Sequence, residues 1–96
     1  ATSVKATAGQ IYTIIANNVN ASVRYLKLYD KASAPTVGTD TPEMTLALPA
    51  ASVQRFDFPL GLKFDLGIAF ALTTEATDAG TTGISANETV VNIAYK

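Results

Sequence analysis

Apolar and polar residues alternate along most of this chain with a period of two, the spacing of a β-strand with one buried face. In Glu43–Leu48 the alternation is cleanest: Met44, Leu46 and Leu48 point one way, Glu43, Thr45 and Ala47 the other. Val23–Asp30 is apolar on both sides, with Leu26 and Leu28 on one face and Val23, Tyr25 and Tyr29 on the other. Such a strand belongs inside a sheet that is covered on both faces, and it is the predicted central strand. Between these two lies Lys31–Pro42, about twelve residues carrying Pro35, Gly38, Asp40 and Pro42, long for a compact domain. A connection of that length suits a crossing between two sheets better than a hairpin.

Short strands and turns make up the rest. Ser3–Ala8 is a weak first strand ended by Gly9, and Gln10–Asn17 follows, with Tyr12, Ile14 and Ala16 facing away from Ile11, Thr13 and Ile15. Asn17–Asn20 is a turn, since Asn tolerates left-handed backbone geometry. In Val53–Phe58 the aromatics Phe56 and Phe58 go inward and Arg55 and Asp57 outward. Pro59 and Gly61 then break the chain before Leu62, Phe64 and Leu66, and past Gly67 the phase resets to Ile68, Phe70 and Leu72, the signature of a bulge or bend. Thr73–Asn87 is small and polar and reads as a loop. The closing strand, Glu88–Lys96, sets Val91, Ile93 and Tyr95 against Val90, Asn92 and Ala94. No window repeats apolar residues at helical spacing. These elements predict one all-β domain over residues 1–96: an antiparallel β-sandwich of seven to eight strands, jelly-roll-like, with an immunoglobulin-like sandwich as the alternative. Its predicted core is Ile14, Leu26, Leu28, Met44, Leu46, Leu48, Phe56, Phe58, Phe64, Ile68, Phe70, Leu72, Val91, Ile93 and Tyr95.

Composition narrows the functional classes. Only 16% of residues are charged against 48% apolar, so much of the surface must be Ala, Thr, Ser and Asn. The net charge of −1 leaves no basic field, and the cations Lys5, Arg24, Lys27, Lys31, Arg55, Lys63 and Lys96 are scattered, which argues against nucleic-acid binding. The longest apolar run, Leu66–Leu72, is far short of the roughly 20 residues that cross a bilayer as a helix. No apolar core follows Lys5 in ATSVKATAGQ, so no secretory leader is expected. Without Cys or His the chain lacks thiol nucleophiles, Ser–His and Cys–His catalysis, and the usual zinc ligands.

What chemistry remains has a plain alternative in each case. Asp30, Asp40, Glu43, Asp65, Glu75, Asp78 and Glu88 could supply the two acids of a glycoside hydrolase, but they sit in or beside turns, where carboxylates cap the chain. Asp40 with Glu43, or Glu75 with Asp78, lacks the ligand spacing of a calcium loop. Tyr12, Tyr25, Tyr29 and Tyr95 could stack on sugars or rim the core with their hydroxyls in water. Asn20 and Asn87 match the glycosylation acceptor pattern and read as chance matches in turns. No catalytic residue, metal or cofactor is expected.

The strand RYLKLYDKA, the loop APTVGTDTP, the segment from Gly61 that carries GIAFALTT, and the closing VVNIAYK together resemble a group of small all-β proteins of tailed bacteriophages. The matching features span about Ser22–Lys96. This resemblance implies a non-enzymatic virion component, and within the group it points to capsid decoration (cement) proteins. Those sit on the outer surface of the head, often as homotrimers, and reinforce the lattice. The implied partners are the major capsid protein and further copies of the chain, with no nucleic acid, membrane or small-molecule ligand; the chain would be made in the bacterial cytoplasm. Candidate interface residues are Pro35, Thr36, Val37 and Pro42 in the first long loop, Thr81, Thr82 and Ile84 in the second, and Val4 and Ala6 on an exposed first strand. The alternative is a tail or fibre domain that binds host-surface carbohydrate through an exposed tyrosine cluster, Tyr25 and Tyr29.

Overall fold

A computed structural model describes residues 1–85 and 88–96. Seven strands form: β1 (Thr2–Lys5), β2 (Gly9–Asn18), β3 (Arg24–Asp30), β4 (Met44–Leu48), β5 (Ser52–Phe64), β6 (Ile68–Thr73) and β7 (Thr89–Tyr95). They make two antiparallel sheets, ordered β1-β6-β3-β4 and β5-β2-β7. No helix forms among the described residues. In jelly-roll lettering the seven strands take the places C to I, giving sheets C-H-E-F and I-D-G. The place of strand B, beside β7, holds no strand among the described residues.

Residues of both sheets meet in one core. Ile11, Ile14 and Ala16 from β2, Leu26 and Leu28 from β3, and Leu48, Phe64 and Ile68 are sealed from solvent, and Met44, Leu46, Phe56, Phe70, Val91 and Ile93 pack around them half-buried. Register explains the set: Leu26 lies opposite both Leu46 and Leu72, and Ile14 opposite both Phe56 and Ile93. The polar Asn18 closes one end of this core. Its Nδ2 donates to the carbonyls of Ser22, Leu48 and Pro49, and its Oδ1 accepts the Asn20 N–H, tying the β2–β3 turn to the end of β4.

Several expectations need correcting. The loop Lys31–Pro42 does not cross between sheets, because β3 and β4 are hydrogen-bonded neighbours from Arg24↔Leu48 to Leu28↔Met44; it closes a long hairpin. Pro59 and Gly61 do not end a strand either. They lie in a bulge of the 13-residue β5, where the register jumps from Asp57 to Leu62 and Gly61 takes φ of 83°, a conformation that suits glycine. A second slip, at Tyr12, turns Ile11 inward beside Ile14, although simple alternation put them on opposite faces. Tyr95, placed in the core by its phase, is 48% exposed at the end of an edge strand. The first strand is shorter than expected and stops at Lys5, where β1 bulges against β6.

The central strand is covered on both faces, as its composition predicts. Toward β5-β2-β7 it presents Leu26 and Leu28; away from it, Tyr25, Lys27 and Tyr29 lie under the loops that follow β3 and β6. Tyr29 packs with Ala69, Ala71 and Val37 in a second, smaller apolar cluster. Lys27 is fully buried, and its ammonium donates to the carbonyl oxygens of Thr77 at 2.6 Å and Gly80 at 3.2 Å. An ammonium out of water without acceptors is costly by several kcal/mol, so these two carbonyls fix where the second loop must lie. The two loops also touch: a side chain at Gly38, where φ is 91°, would meet Thr81 Cγ2. Lys27→Ala should therefore lower stability by about 2–4 kcal/mol, from the cavity and from two carbonyls left without a donor. Urea denaturation should show it, with Lys27→Met, which keeps the volume, losing less.

Candidate interaction surface

The two sheets differ in what covers their outer faces. Over β1-β6-β3-β4 lie the two long loops. Over β5-β2-β7 there is nothing among the described residues. That open face can be laid out by register: Val53, Asn17 and Val90 in one row, Arg55, Ile15 and Asn92 in the next, Asp57, Thr13 and Ala94 in the third. Val53 is 61% exposed, Val90 51% and Ile15 39%, large apolar side chains in water. The only charges in these rows, Arg55 and Asp57, pair with each other at 3.0 Å, so the face is close to neutral. Large apolar side chains standing in water on one sheet face mark a surface that a partner can cover.

The nominated interface residues fall elsewhere and divide by burial. Thr36, Thr81 and Thr82 are exposed on the loop layer, and Ala6 is exposed just past β1. Pro35, by contrast, is buried, Val37 is half-buried against the Tyr29 cluster, and Pro42, Ile84 and Val4 are half-buried, Val4 against the main core. These apolar side chains are used within the molecule, and the exposed part of the loop layer is made mainly of small residues, Thr, Ala, Ser and Gly. The two loops, expected to make contacts because they are long, fold onto the closed sheet, whereas Val53, Ile15 and Val90 stand in water on the open one. The signal available for that sheet was apolar residues on both phases of β2 and β7, Ile15 and Val90 among them.

Each shifted carboxylate holds a loop. Burial works against the charge of Asp30, but backbone N–H groups of Leu66, Asp65 and Gly67 outweigh it and hold the carboxyl below its ordinary range; the same bonds fix the β5–β6 turn. Asp40 is lowered by the Lys31 ammonium at 2.6 Å and the Thr36 N–H. Glu75 is lowered by Thr82, whose N–H it accepts at 2.8 Å, and Glu88 by Arg24, with Ser85 N–H adding to it. The Arg24–Glu88 pair is largely shielded and also takes in Asn20, whose Nδ2 donates to Glu88 at 2.6 Å. No three acids converge as a metal site among the described residues. Asn20 is thus engaged, and Asn87, the other acceptor match, lies outside the described residues.

The tyrosines do not form a platform. Tyr29 is 1% exposed in its cluster with Val37, and Tyr25, four residues back along β3 with Lys27 between them, is half-buried, so the expected exposed pair is contradicted. Tyr12 lies apart, donating to Gln10 in a shallow cleft lined also by Lys5, Gly9, Lys63, Phe64 and Lys96. The lining of the cleft holds three lysines and no aspartate or glutamate side chain. Comparison with protein families, with curated proteins and with solved structures finds no match for this chain.

Two outcomes follow from these placements. The Tyr29 hydroxyl is buried with no partner among the described residues, and burial followed by the charges of Asp40 and Asp78 holds it protonated by raising its pKa. Tyr29→Phe should be neutral or stabilising by up to about 1 kcal/mol in urea melts, since it removes an unpaired polar group without changing the packing. Asp30, Asp40, Glu75 and Glu88 all have lowered pKa values, so their contribution is present above the unfolded-state carboxylate range and lost as pH falls through the folded values, below about pH 4. Melts across that window should show stability falling, and the fall should be shallower in Asp30→Asn.

Proposed function

We propose that this chain is a non-enzymatic structural protein of a tailed-phage virion, a decoration or cement protein that docks on the outside of the major capsid lattice. The observation that carries the reading is the open face of β5-β2-β7, three rows of nearly neutral side chains with Val53, Ile15 and Val90 in water. The resemblance of the segments from Arg24 onward to small phage β-proteins gives that face its partner. Further support comes from the acids, which hold loops in place, and from the absence of His and Cys in the sequence.

Docking through a sheet face uses area and shape, and repetition over a lattice multiplies weak single contacts. Copies associate with one another as well as with the shell, and the resemblance favours a trimer. Exposed Thr36, Thr81, Thr82 and Ala6 lie away from the docking face in this arrangement and would meet solvent or neighbouring copies. The carbohydrate-binding alternative loses its tyrosine pair, and no other feature favours it.

Phage heads carrying wild-type protein should rupture at a higher temperature than heads stripped of it; equal rupture temperatures would remove the reinforcing role. Val53→Glu and Ile15→Lys, both outward-facing, should weaken head binding about tenfold or more while leaving the melting temperature of the free protein nearly unchanged.

A further inference from the structure

The two sheets end in four edge strands, and three of them are protected against pairing. β1 has four residues and bulges between Ser3 and Lys5. β4 has five, with Pro42 just before it and Pro49 just after. β5 carries Arg55, Asp57 and Lys63 and is broken by the Pro59–Gly61 bulge. β7 has no such device: Thr-Val-Val-Asn-Ile-Ala-Tyr contains no charge, proline or glycine, and its register is regular from Thr89 to Ala94.

Hydrogen bonds at its two ends show which backbone groups are free. Gln10 and Lys96 exchange both bonds, at 3.1 and 2.9 Å, and Val19 N–H donates to the Glu88 carbonyl at 3.0 Å. Antiparallel alternation then turns the even-numbered residues of β7 toward β2 and aims the N–H and C=O groups of Thr89, Val91, Ile93 and Tyr95 outward. Those groups have no backbone partner among the described residues. Val91 and Ile93, which face the core, are only half-buried, whereas Ala16 and Ile14, one strand further in, are sealed. The edge is also where jelly-roll order would set a further strand.

We infer that β7 pairs with β7 of a second copy, antiparallel about a two-fold axis beside Asn92. In that register Val91 lies opposite Ile93 of the second copy and Thr89 opposite its Tyr95, so outward-facing groups meet each other and inward faces stay aligned. Up to about eight backbone hydrogen bonds form. At the axis the two Asn92 side chains meet on the outer face as a close, non-hydrogen-bonded pair, where their amides can bond. A strand without charge meets itself without repulsion, and closed self-pairing uses one open edge from each copy, which β7 supplies among the described residues. The product is one continuous six-stranded sheet with the open face doubled. A trimer would need a different surface, and the inference stands independently of any capsid.

Two edge strands bury less area than a standard interface, so dimerisation in the micromolar range is expected in sedimentation velocity over a concentration series. Asn92→Lys and Asn92→Glu should each weaken the dimer about tenfold, since Asn92 is exposed and like charges would face across the axis. An equimolar mixture of the two should restore it. In the wild type, hydrogen exchange at the Val91 and Ile93 amides should slow as concentration rises. A monomer across the series, a dimer indifferent to both substitutions, or protection of β7 only when an unrelated protein is added would overturn the inference.

Discussion

Burial of the Lys27 ammonium is the constraint from which the asymmetry of this molecule follows. β3 lies inside its sheet, so its outward side chains can reach water only if nothing covers that face. Apolar Tyr29, Ala69 and Ala71 on the same face draw a cover over it, and the lysine between them then needs acceptors in the cover itself. The carbonyls of Thr77 and Gly80 supply them. With that loop fixed, Glu75 holds Thr82, Thr81 rests on Gly38, and Asp40 braces the first loop through Lys31 and Thr36. One sheet is thereby closed by a third layer and the other left open.

This order of events accounts for what was legible in the sequence. Period-two alternation located the strands, and apolar residues on both phases identified β3 as central and doubly covered. Periodicity tells which residues share a face, but not what lies over the face; Ile15, Val53 and Val90 have the same pattern whether covered or open. Loop length could not separate a hairpin from a crossing, because Lys31–Pro42 is long for a reason the sequence hides: it has to travel across the sheet to cover Tyr29. The two bulges, at Tyr12 and at Phe58–Gly61, shift phase inside continuous strands, and alternation alone reports such a shift as a break or as a wrong face. Lys27 counted as an ordinary polar position in the alternation, and its burial depends on contacts about fifty residues away.

Charge distribution links the cover to the open face. Four carboxylates and the cations Arg24, Lys27 and Lys31 are spent on fixing loops, all on or beside the closed sheet or at strand ends. The three rows of the open face are left with one self-neutralising pair, Arg55 and Asp57, and the β7 edge has no charge. A protein with net charge −1 has little general repulsion to keep such surfaces apart. Exposed apolar sheet faces and unguarded edges invite unspecific association, and here the other three edges carry devices against it. Protection at three edges and its absence at the fourth, next to a face with Val53, Ile15 and Val90 in water, is the distribution expected when the unprotected surfaces are covered in the working state.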